Sequence, residues 1–335
     1  MVQVATNELI RIYNAFCDDI SRKIYRHRLL YSMLGEQGEI TEMVYECSPV
    51  SARLSSSKVC YYGAGAGGSW LIRNHKNAPF VIDKYKTGVF YGLPIISLED
   101  FLKLPDYKEY LIVITVGKEA LRREIAEELD RYGLTYLFGY FDFGGRNTQY
   151  FELKSLFQAD WKNEYFVDAG ALDGETTEFF LKHFENGYAY VLEPNLKQFE
   201  IIKERLRAYP QVELLSYGAY DKNTTLRFDP AEGDEGSAKI SAGGGMEIEV
   251  RRLDDLLEDR KVTFIKMDIE GAELAALRGA ERIIREQRPK LAICVYHKPE
   301  DIWEIPSLIL RYHPDYKLYL RHYSITQTET VLYAV

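Results

Sequence analysis

Hydrophobic and polar residues are arranged along the chain in blocks that predict helices first and then alternating strands and helices. Apolar side chains recur at helical spacing near the start, as at Leu9, Ile12 and Phe16. Farther along, short apolar runs alternate with amphipathic stretches, which is typical of parallel α/β sheets. The pattern predicts three parts: a helical segment over residues 1–54, a smaller α/β domain over 55–142 and a larger α/β domain over 143–335.

In the middle part, four apolar runs predict the strands of a parallel, Rossmann-like sheet. A polar and charged stretch over 119–131 carries its apolar residues at helical spacing and predicts a helix between the last two strands. The predicted strands cover 59–62, 80–83, 111–117 and 135–138.

The third part shows five further strands with helices between them, and then two strands that only residues 324–329 separate. So short a connection leaves no room for a crossover helix, so the last two strands are expected to pair antiparallel. The pattern therefore predicts a seven-stranded α/β sheet with a terminal antiparallel hairpin. Helices are expected over 196–209 and 272–286. The predicted strands cover 165–169, 189–193, 212–217, 262–268, 291–296, 316–322 and 330–335.

Composition narrows the function classes. The chain has 335 residues and a net charge of −9, which argues against nonspecific nucleic-acid binding. The four cysteines form no CxxC pair, so neither a disulfide framework nor a zinc motif is expected. No signal-peptide core and no apolar run of bilayer-spanning length is visible. We expect a cytoplasmic protein that acts on a small molecule or a glycan, with no membrane span; the oligomeric state is left open.

Candidate chemistry lies where the first two strands of the third part end. Residues 166–177 read as a strand that ends in Asp168, a turn containing Gly170 and Gly174, and the start of a helix. The next strand ends in Glu193. Open α/β sheets bind ligands at the carboxyl ends of their strands, and glycines let a ligand approach the backbone. These two acids therefore mark a candidate binding edge.

Four stretches resemble the FkbM family of methyltransferases. They are DAGALDGET over 168–176, LEPN over 192–195, LDDL over 253–256 and IKMDIEGAE over 265–273, and they occur in the order found in that family. The sheet with its terminal hairpin is also the layout of class I methyltransferases. The resemblance covers about residues 160–300 and implies S-adenosyl-L-methionine (SAM) as methyl donor.

The family resemblance further implies O-methylation of a sugar or another metabolite that carries a hydroxyl group. Glu193 is expected to bind the ribose hydroxyls, and Asp168 to lie near the methionine amino group or to orient the glycine turn. Thr176 is expected to cap the next helix or to bind the ligand carboxylate, capping being favoured. The residues expected to contact the cofactor are Asp168, Gly170, Asp173, Gly174, Thr176, Glu193, Pro194, Asn195, Gly218 and Ala219.

The methyl acceptor is expected to bind at the carboxyl ends of the fourth and fifth strands of the third part. Asp268 and Glu270 follow the fourth strand and His297 follows the fifth, so all three are candidate catalytic residues. A histidine with an unperturbed pKa near 6.5 suits a general base at neutral pH. The same three residues leave a divalent metal open as an alternative, although none is expected. Lys266 and Glu273 are interpreted as structural.

A second candidate site lies in the middle domain. The stretch GAGAGG over 63–68 follows a strand, and Asp83 lies 20 positions beyond Gly63, as in dinucleotide-binding motifs. This domain resembles the nucleotide-sugar-binding domain of PglD-type sugar acyltransferases. The second-site residues are Gly63, Gly65, Gly68 and Asp83. Two alternative functions stay open: a nucleotide-sugar or NAD(P)-dependent enzyme that uses this loop, and a non-catalytic module that binds SAM or a nucleotide.

Residues 226–253 are expected to form an extended insertion after the third strand of the third part. It holds several glycines, among them Gly233, Gly236 and Gly243, and an alternating strand over 246–250. A flexible loop and a mobile lid over the substrate are both consistent with this composition.

Overall fold

The computed structural model describes residues 6–47, 54, 57–65, 68–69, 72, 78–116, 119–138, 149–152, 162–229, 239–240, 245–324 and 326–335. Residue contacts divide the chain into two compact units. One unit combines residues 1–43 with 146–335, and the other comprises residues 44–145. The predicted boundaries at 54 and 142 stay a prediction.

The smaller unit contains a six-stranded sheet in the order β3-β4-β2-β1-β5-β6. All its neighbouring strands pair in parallel except β3, which is antiparallel to β4. The predicted Rossmann-like layout is therefore present, with an additional edge hairpin that the sequence analysis did not assign. The elements are β1 (Lys58–Tyr62), β2 (Val81–Ile82), β3 (Gly88–Phe90), β4 (Leu93–Ile96), α4 (Leu98–Leu102), β5 (Tyr110–Ile114), α5 (Glu119–Arg131) and β6 (Tyr136–Phe138).

The larger unit contains a seven-stranded sheet in the order β16-β17-β15-β14-β7-β8-β9. Strands β9, β8, β7, β14 and β15 run parallel, whereas β17 is antiparallel to both of its neighbours. The predicted terminal hairpin is confirmed. The strands are β7 (Tyr165–Ala169), β8 (Tyr188–Leu192), β9 (Val212–Leu215), β14 (Phe264–Met267), β15 (Lys290–Cys294), β16 (Leu318–His322) and β17 (Thr330–Ala334).

Helices of the larger unit connect these strands. The single helix predicted over 272–286 is instead two helices with a break at Gly279. A side chain at Gly279 would place its Cβ 1.9 Å from the Tyr220 carbonyl oxygen, so glycine is needed where the two segments meet. The helices are α6 (Glu175–His183), α7 (Leu196–Leu206), α8 (Leu253–Leu256), α9 (Glu273–Arg278), α10 (Glu281–Gln287) and α11 (Asp301–Tyr312).

Part of the predicted insertion forms a separate four-stranded sheet in the order β10-β13-β11-β12. The predicted strand over 246–250 is present within β13. Gly233, Gly236 and Gly243 lie outside the described residues, so the choice between loop and lid stays a prediction. The strands are β10 (Gly218–Ala219), β11 (Thr224–Asp229), β12 (Lys239–Ile240) and β13 (Met246–Arg251).

The N-terminal helices are α1 (Thr6–Ala15), α2 (Asp19–Leu34) and α3 (Gln37–Cys47). Helix α2 packs on β16, and α1 and α2 pack on α11. The Ser21 hydroxyl accepts a hydrogen bond from the Leu320 amide at 2.8 Å, and Arg321 pairs with Asp18 at 2.8 Å. The first helices therefore bury their apolar faces, including Ile12 and Ile24, within the larger unit.

An aromatic core lies between the sheet of the larger unit and helices α6 and α7. Phe166 of β7, Phe264 of β14 and Phe180 of α6 are fully buried there, and Ile202 of α7 packs in the same cluster. This core fixes the positions of β7 and β14, and with them the strand ends at which the candidate site lies. Among the helices of the described residues, none combines the length and apolar character needed to cross a bilayer.

Candidate active site

The turn that follows β7 passes tightly against the end of β14. Gly170 has a φ of +78°, and a Cβ at this residue would lie 2.0 Å from the Asp268 carbonyl oxygen. No side chain fits there, so the protein's own backbone is sufficient to explain the glycine at this position. Gly174 also has a positive φ, of +80°, and occupies the position before α6. The result is a turn at the sheet edge in which Gly170 and Leu172 are partly exposed, whereas Gly174 is buried.

A buried ion pair lies beneath this turn. The Lys266 ammonium is 3.0 Å from the Asp168 carboxylate and donates to the Gly170 carbonyl at 2.6 Å. The other Asp168 oxygen accepts a hydrogen bond from the Thr177 hydroxyl at 2.7 Å. Burial lowers the pKa of Lys266, but Asp168 and Asp268 outweigh this effect, so the pKa lies above its usual value. The Asp168 side chain is fully buried and reaches the turn only through Lys266, and both roles predicted for it stay predictions.

Glu193 follows β8 and lies beside the same turn. One carboxylate oxygen accepts from the Leu172 amide at 3.1 Å and the other from the Asn195 amide at 2.9 Å. Burial raises the pKa of Glu193, although the two amides oppose the shift. A carboxylate has about four lone-pair positions, so each oxygen keeps one for a ligand hydroxyl.

The remaining residues predicted to contact the cofactor lie around these two strand ends. Asp173 accepts from the Glu175 amide at 3.1 Å. The N-cap position of α6 is Gly174, and no side chain makes a capping hydrogen bond there, so the capping role favoured for Thr176 is not seen. Asn195 caps α7 by accepting from the Lys197 amide at 3.0 Å. Gly218 lies near Pro194, because a Cβ there would be 3.7 Å from the proline ring. Ala219 is buried in β10.

Asp268 follows β14 and is held by two phenols. The Tyr150 hydroxyl donates to one carboxylate oxygen at 2.7 Å, and the Tyr296 hydroxyl donates to the other at 3.1 Å. Burial raises the pKa of Asp268, but Lys266, His297 and Tyr150 outweigh it, and the pKa lies below its usual value. Asp268 is therefore a fixed negative charge at the end of this strand.

His297 is surrounded by carboxylates. Its Nδ1 atom is 2.9 Å from Glu273, and its Nε2 atom is 3.5 Å from Asp268 and 3.6 Å from Glu270. Burial lowers the pKa of His297, but Glu273, Asp268 and Glu270 outweigh it and raise the pKa to about 9. A protonated imidazole cannot accept a proton, so this value argues against the predicted role of His297 as a base at neutral pH.

Glu273, interpreted as structural from the sequence, has a specific contact role. It is fully buried at the start of α9, and one carboxylate oxygen meets both His297 and the Ile269 amide, the latter at 2.8 Å. Glu270 lies in the turn between Ile269 and Glu273 and has a φ of +56°. This backbone conformation costs roughly 1–3 kcal/mol for a residue other than glycine. The surrounding contacts thus hold Glu270 in a strained turn that faces His297.

Asp301, at the start of α11, gives a testable pH dependence. Burial and the nearby Glu273 raise its pKa to about 7, against about 3.9 in an unfolded chain. Between these values the folded protein keeps a proton that the unfolded chain releases, so the free energy of unfolding should fall as pH rises from about 4 to 7. Asp301→Asn should flatten this dependence and raise the melting temperature at pH 8 by about 2–4 °C. Thermal unfolding between pH 5 and 8 tests this, and an equal pH slope in both proteins would contradict it.

The second predicted site lies in the smaller unit. Gly63, Gly65 and Asp83 line a cavity of about 450 Å³. The Asp83 carboxylate already accepts from the backbone amides of Ala64, Tyr85 and Lys86. A Cβ at Gly68 would lie 2.6 Å from the Gly63 carbonyl oxygen, so this glycine serves loop closure. Residues 66 and 67 of the predicted motif lie outside the described residues. The PglD-like interpretation stays a prediction.

Comparison with known proteins addresses the larger unit. Residues 168–324 match the family model of the methyltransferase FkbM domain. The match covers the same region as the four sequence stretches that resemble this family. The matched residues include the glycine turn, Glu193, Asp268 and His297. No curated protein matches the chain.

Similar solved structures include one FkbM methyltransferase, from Methylobacillus flagellatus, at 21% identity and a TM-score of 0.46, with 95% of this chain and 99% of that chain covered. Another is Aeropyrum pernix fibrillarin with bound SAM, at 12% identity and a TM-score of 0.36, with 56% and 73% covered. A third is a methyltransferase-like protein of Streptococcus mutans in complex with SAH, at 15% identity and a TM-score of 0.34, with 56% and 98% covered.

The structure brings most of the predicted site residues of the larger unit to one sheet edge and adds several that sequence reasoning missed. Tyr150 and Tyr296 orient Asp268, and Thr177 binds Asp168. The contact of Thr177 could have been predicted, because Thr177 lies in the first turn of the helix that follows the strand of Asp168. Tyr150 is 118 residues from Asp268 in sequence, and no local pattern reveals such a pairing.

Proposed function

We propose that the FkbM domain transfers a methyl group from SAM to a hydroxyl oxygen of a sugar or a related metabolite. The observation that carries this proposal is the arrangement along one sheet edge. At this edge, Glu193 keeps lone pairs for a ligand, and the turn carries no side chain at Gly170. The cluster of Asp268, Glu270 and His297 lies beside them. A site for a nucleoside and a site for a polar acceptor would thus be neighbours.

The cofactor end suits a nucleoside that carries no phosphate. Glu193 offers two acceptor positions to the paired ribose hydroxyls, and its own amide contacts keep the carboxylate in place. The buried charge of Lys266 is already matched by Asp168, so no unpaired cation awaits a phosphate there.

The acceptor end suits a hydroxyl group. In the transfer, the bond between the methyl carbon and sulfur breaks with its electron pair going to sulfur, and a bond forms between that carbon and the acceptor oxygen. The hydroxyl proton is released to water, a step that the Asp268 carboxylate assists. Asp268 can accept a hydrogen bond from this hydroxyl because two tyrosines fix its orientation. Positioning of the two reactants can supply roughly 7–11 kcal/mol of barrier lowering.

SAM binding provides the first test. We expect calorimetry to detect SAM binding to the native protein and Glu193→Gln to weaken it about 10–100-fold, because hydrogen bonds to a charged group contribute about 1.5–3 kcal/mol. Glu200→Gln, on the exposed face of α7, is the matched control and should bind as the native protein does. A native protein that does not bind SAM, or a Glu193→Gln protein with unchanged affinity, would refute the cofactor assignment.

A further inference from the structure

We infer that Asp268, Glu270 and His297 together bind one divalent transition-metal ion such as Mn²⁺. The ligand atoms of these three residues all lie within 4.8 Å of one another. His297 Nε2 is 3.5 Å from Asp268 and 3.6 Å from Glu270, which is long for a hydrogen bond. Two ligands that share an ion at about 2.1 Å lie roughly 3–3.5 Å apart, so these spacings fit a common ion.

The imidazole Nε2 atom pairs with the two carboxylates only by charge, across distances that are long for a hydrogen bond. The His297 side chain is 6% exposed, and Nε2 makes no hydrogen bond within the described part of the chain. Leaving a buried polar atom unpaired is costly, and native proteins rarely do so without a reason. A metal ion between Nε2 and the carboxylates would satisfy this atom.

Contacts around the three ligands resemble those that usually surround a metal site. A metal-binding histidine commonly donates its other ring N–H to a carboxylate, and His297 Nδ1 meets Glu273 at 2.9 Å. Ligating carboxylates are themselves hydrogen-bonded, as Asp268 is by Tyr150 and Tyr296. The outer contacts would therefore orient the ligands before any ion arrives.

The net charge of the cluster and the chemical type of its ligand atoms also favour a metal ion. Three carboxylates, those of Asp268, Glu270 and Glu273, converge on one imidazole, which leaves an excess of negative charge even if the ring is protonated. A dication with a neutral imidazole would compensate this charge better than a single proton. Carboxylate oxygens suit Mn²⁺ and imidazole suits the later transition metals, so a mixed set favours a transition-metal ion.

A second group of potential ligands fits a metal less well. Among the described residues, His27, Glu39 and Glu42 also bring their ligand atoms together. His27 Nδ1, however, already meets Glu39 at 2.8 Å, and Nε2 is 3.2 Å from the Arg26 guanidinium. A neighbouring cation opposes metal binding, so this group serves as a comparison.

The role of the ion rests on the proposed function, whereas its binding does not. Three protein ligands leave coordination positions open. An acceptor hydroxyl bound at one of them would be oriented, and its pKa would fall, so that it releases its proton to water more readily as the methyl group arrives. This would remove the need for His297 to act as a base.

Manganese binding tests the inference without SAM or an acceptor. We expect titration with MnCl₂, followed by the loss of the free-ion electron paramagnetic resonance signal, to show one ion bound per chain. Glu270→Gln and His297→Ala should each weaken binding at least about 10-fold, and Glu273→Gln about 10–100-fold. Circular dichroism of each variant verifies that the protein is folded.

Glu42→Gln is the matched control, because it removes an exposed carboxylate from the other ligand group and should leave manganese binding unchanged. No binding by the native protein up to about 1 mM Mn²⁺ would overturn the inference. The assignment of the ligands would be overturned if the Glu270→Gln protein and the His297→Ala protein each bound Mn²⁺ as the native protein does. Loss of binding in the Glu42→Gln protein would also overturn it. Because SAM is absent, a failure here is distinct from a failure of the cofactor assignment.

Discussion

Asp268→Asn should lower methyl transfer about 10²–10⁴-fold while SAM affinity stays within about two-fold, since a well-placed group that assists proton removal contributes this much. The substitution preserves size and keeps one oxygen for the tyrosines, but it removes the charge that faces the acceptor. The contacts of Glu193 are with Leu172 and Asn195, so binding of the ribose should not change. The rate of SAH formation, measured with an acceptor that the native protein methylates, is the readout.

Tyr296→Phe is a useful companion to this variant. It removes one of the two hydroxyls that orient Asp268 but keeps the carboxylate, so we expect a loss of about 10-fold or less. A sugar and nucleotide-sugar panel supplies the candidate acceptors. If Asp268→Asn turned over at the native rate, the acceptor would not lie at the end of β14, and the catalytic part of the proposed function would fail.

Lys266→Met should destabilise the larger unit by about 3–5 kcal/mol, because it leaves the buried Asp168 carboxylate without its partner. Methionine fills a similar volume, so the loss would come from the uncompensated charge and from the Gly170 carbonyl that loses its donor. Urea unfolding followed by circular dichroism measures the change.

Two control proteins separate charge from packing. Lys182→Met removes the surface pair between an exposed lysine and Glu178 on α6, and it should leave the free energy of unfolding close to that of the native protein. The double variant Lys266→Met/Asp168→Asn removes both buried charges and should recover part of the loss. A Lys266→Met protein as stable as the Lys182→Met protein would show that this ion pair does not hold the turn.

Local sequence patterns were sufficient to predict the seven-stranded sheet of the larger unit. The strand at 165–169 matches β7 in both bounds, and the short connection before the last strand predicted the terminal hairpin. Such signals are local, since apolar runs and turn lengths are read within about ten residues. The glycine turn and Glu193 were predictable for the same reason, because strand ends in a parallel sheet share one edge.

Contacts between distant segments were beyond local patterns. Lys266 was interpreted as structural, yet its charge meets Asp168 because β14 and β7 are neighbours in register. The expected base at His297 assumed an ordinary pKa, whereas three acids that converge in space raise it. The packing of the first helices on β16 joins residues about 300 positions apart, and no local pattern reveals such a contact.

The contact between Ser21 and Leu320 affects the order in which the two units can fold during synthesis. Residues 44–145 form a unit whose chain interrupts the larger unit, and their contacts are complete well before the ribosome reaches β16. The helices α1 and α2 emerge first but must wait for almost the whole chain before Ser21 can meet Leu320. We expect the inserted unit to form early during synthesis and the larger one to close last, so that nascent chains released early would expose the apolar faces of both leading helices.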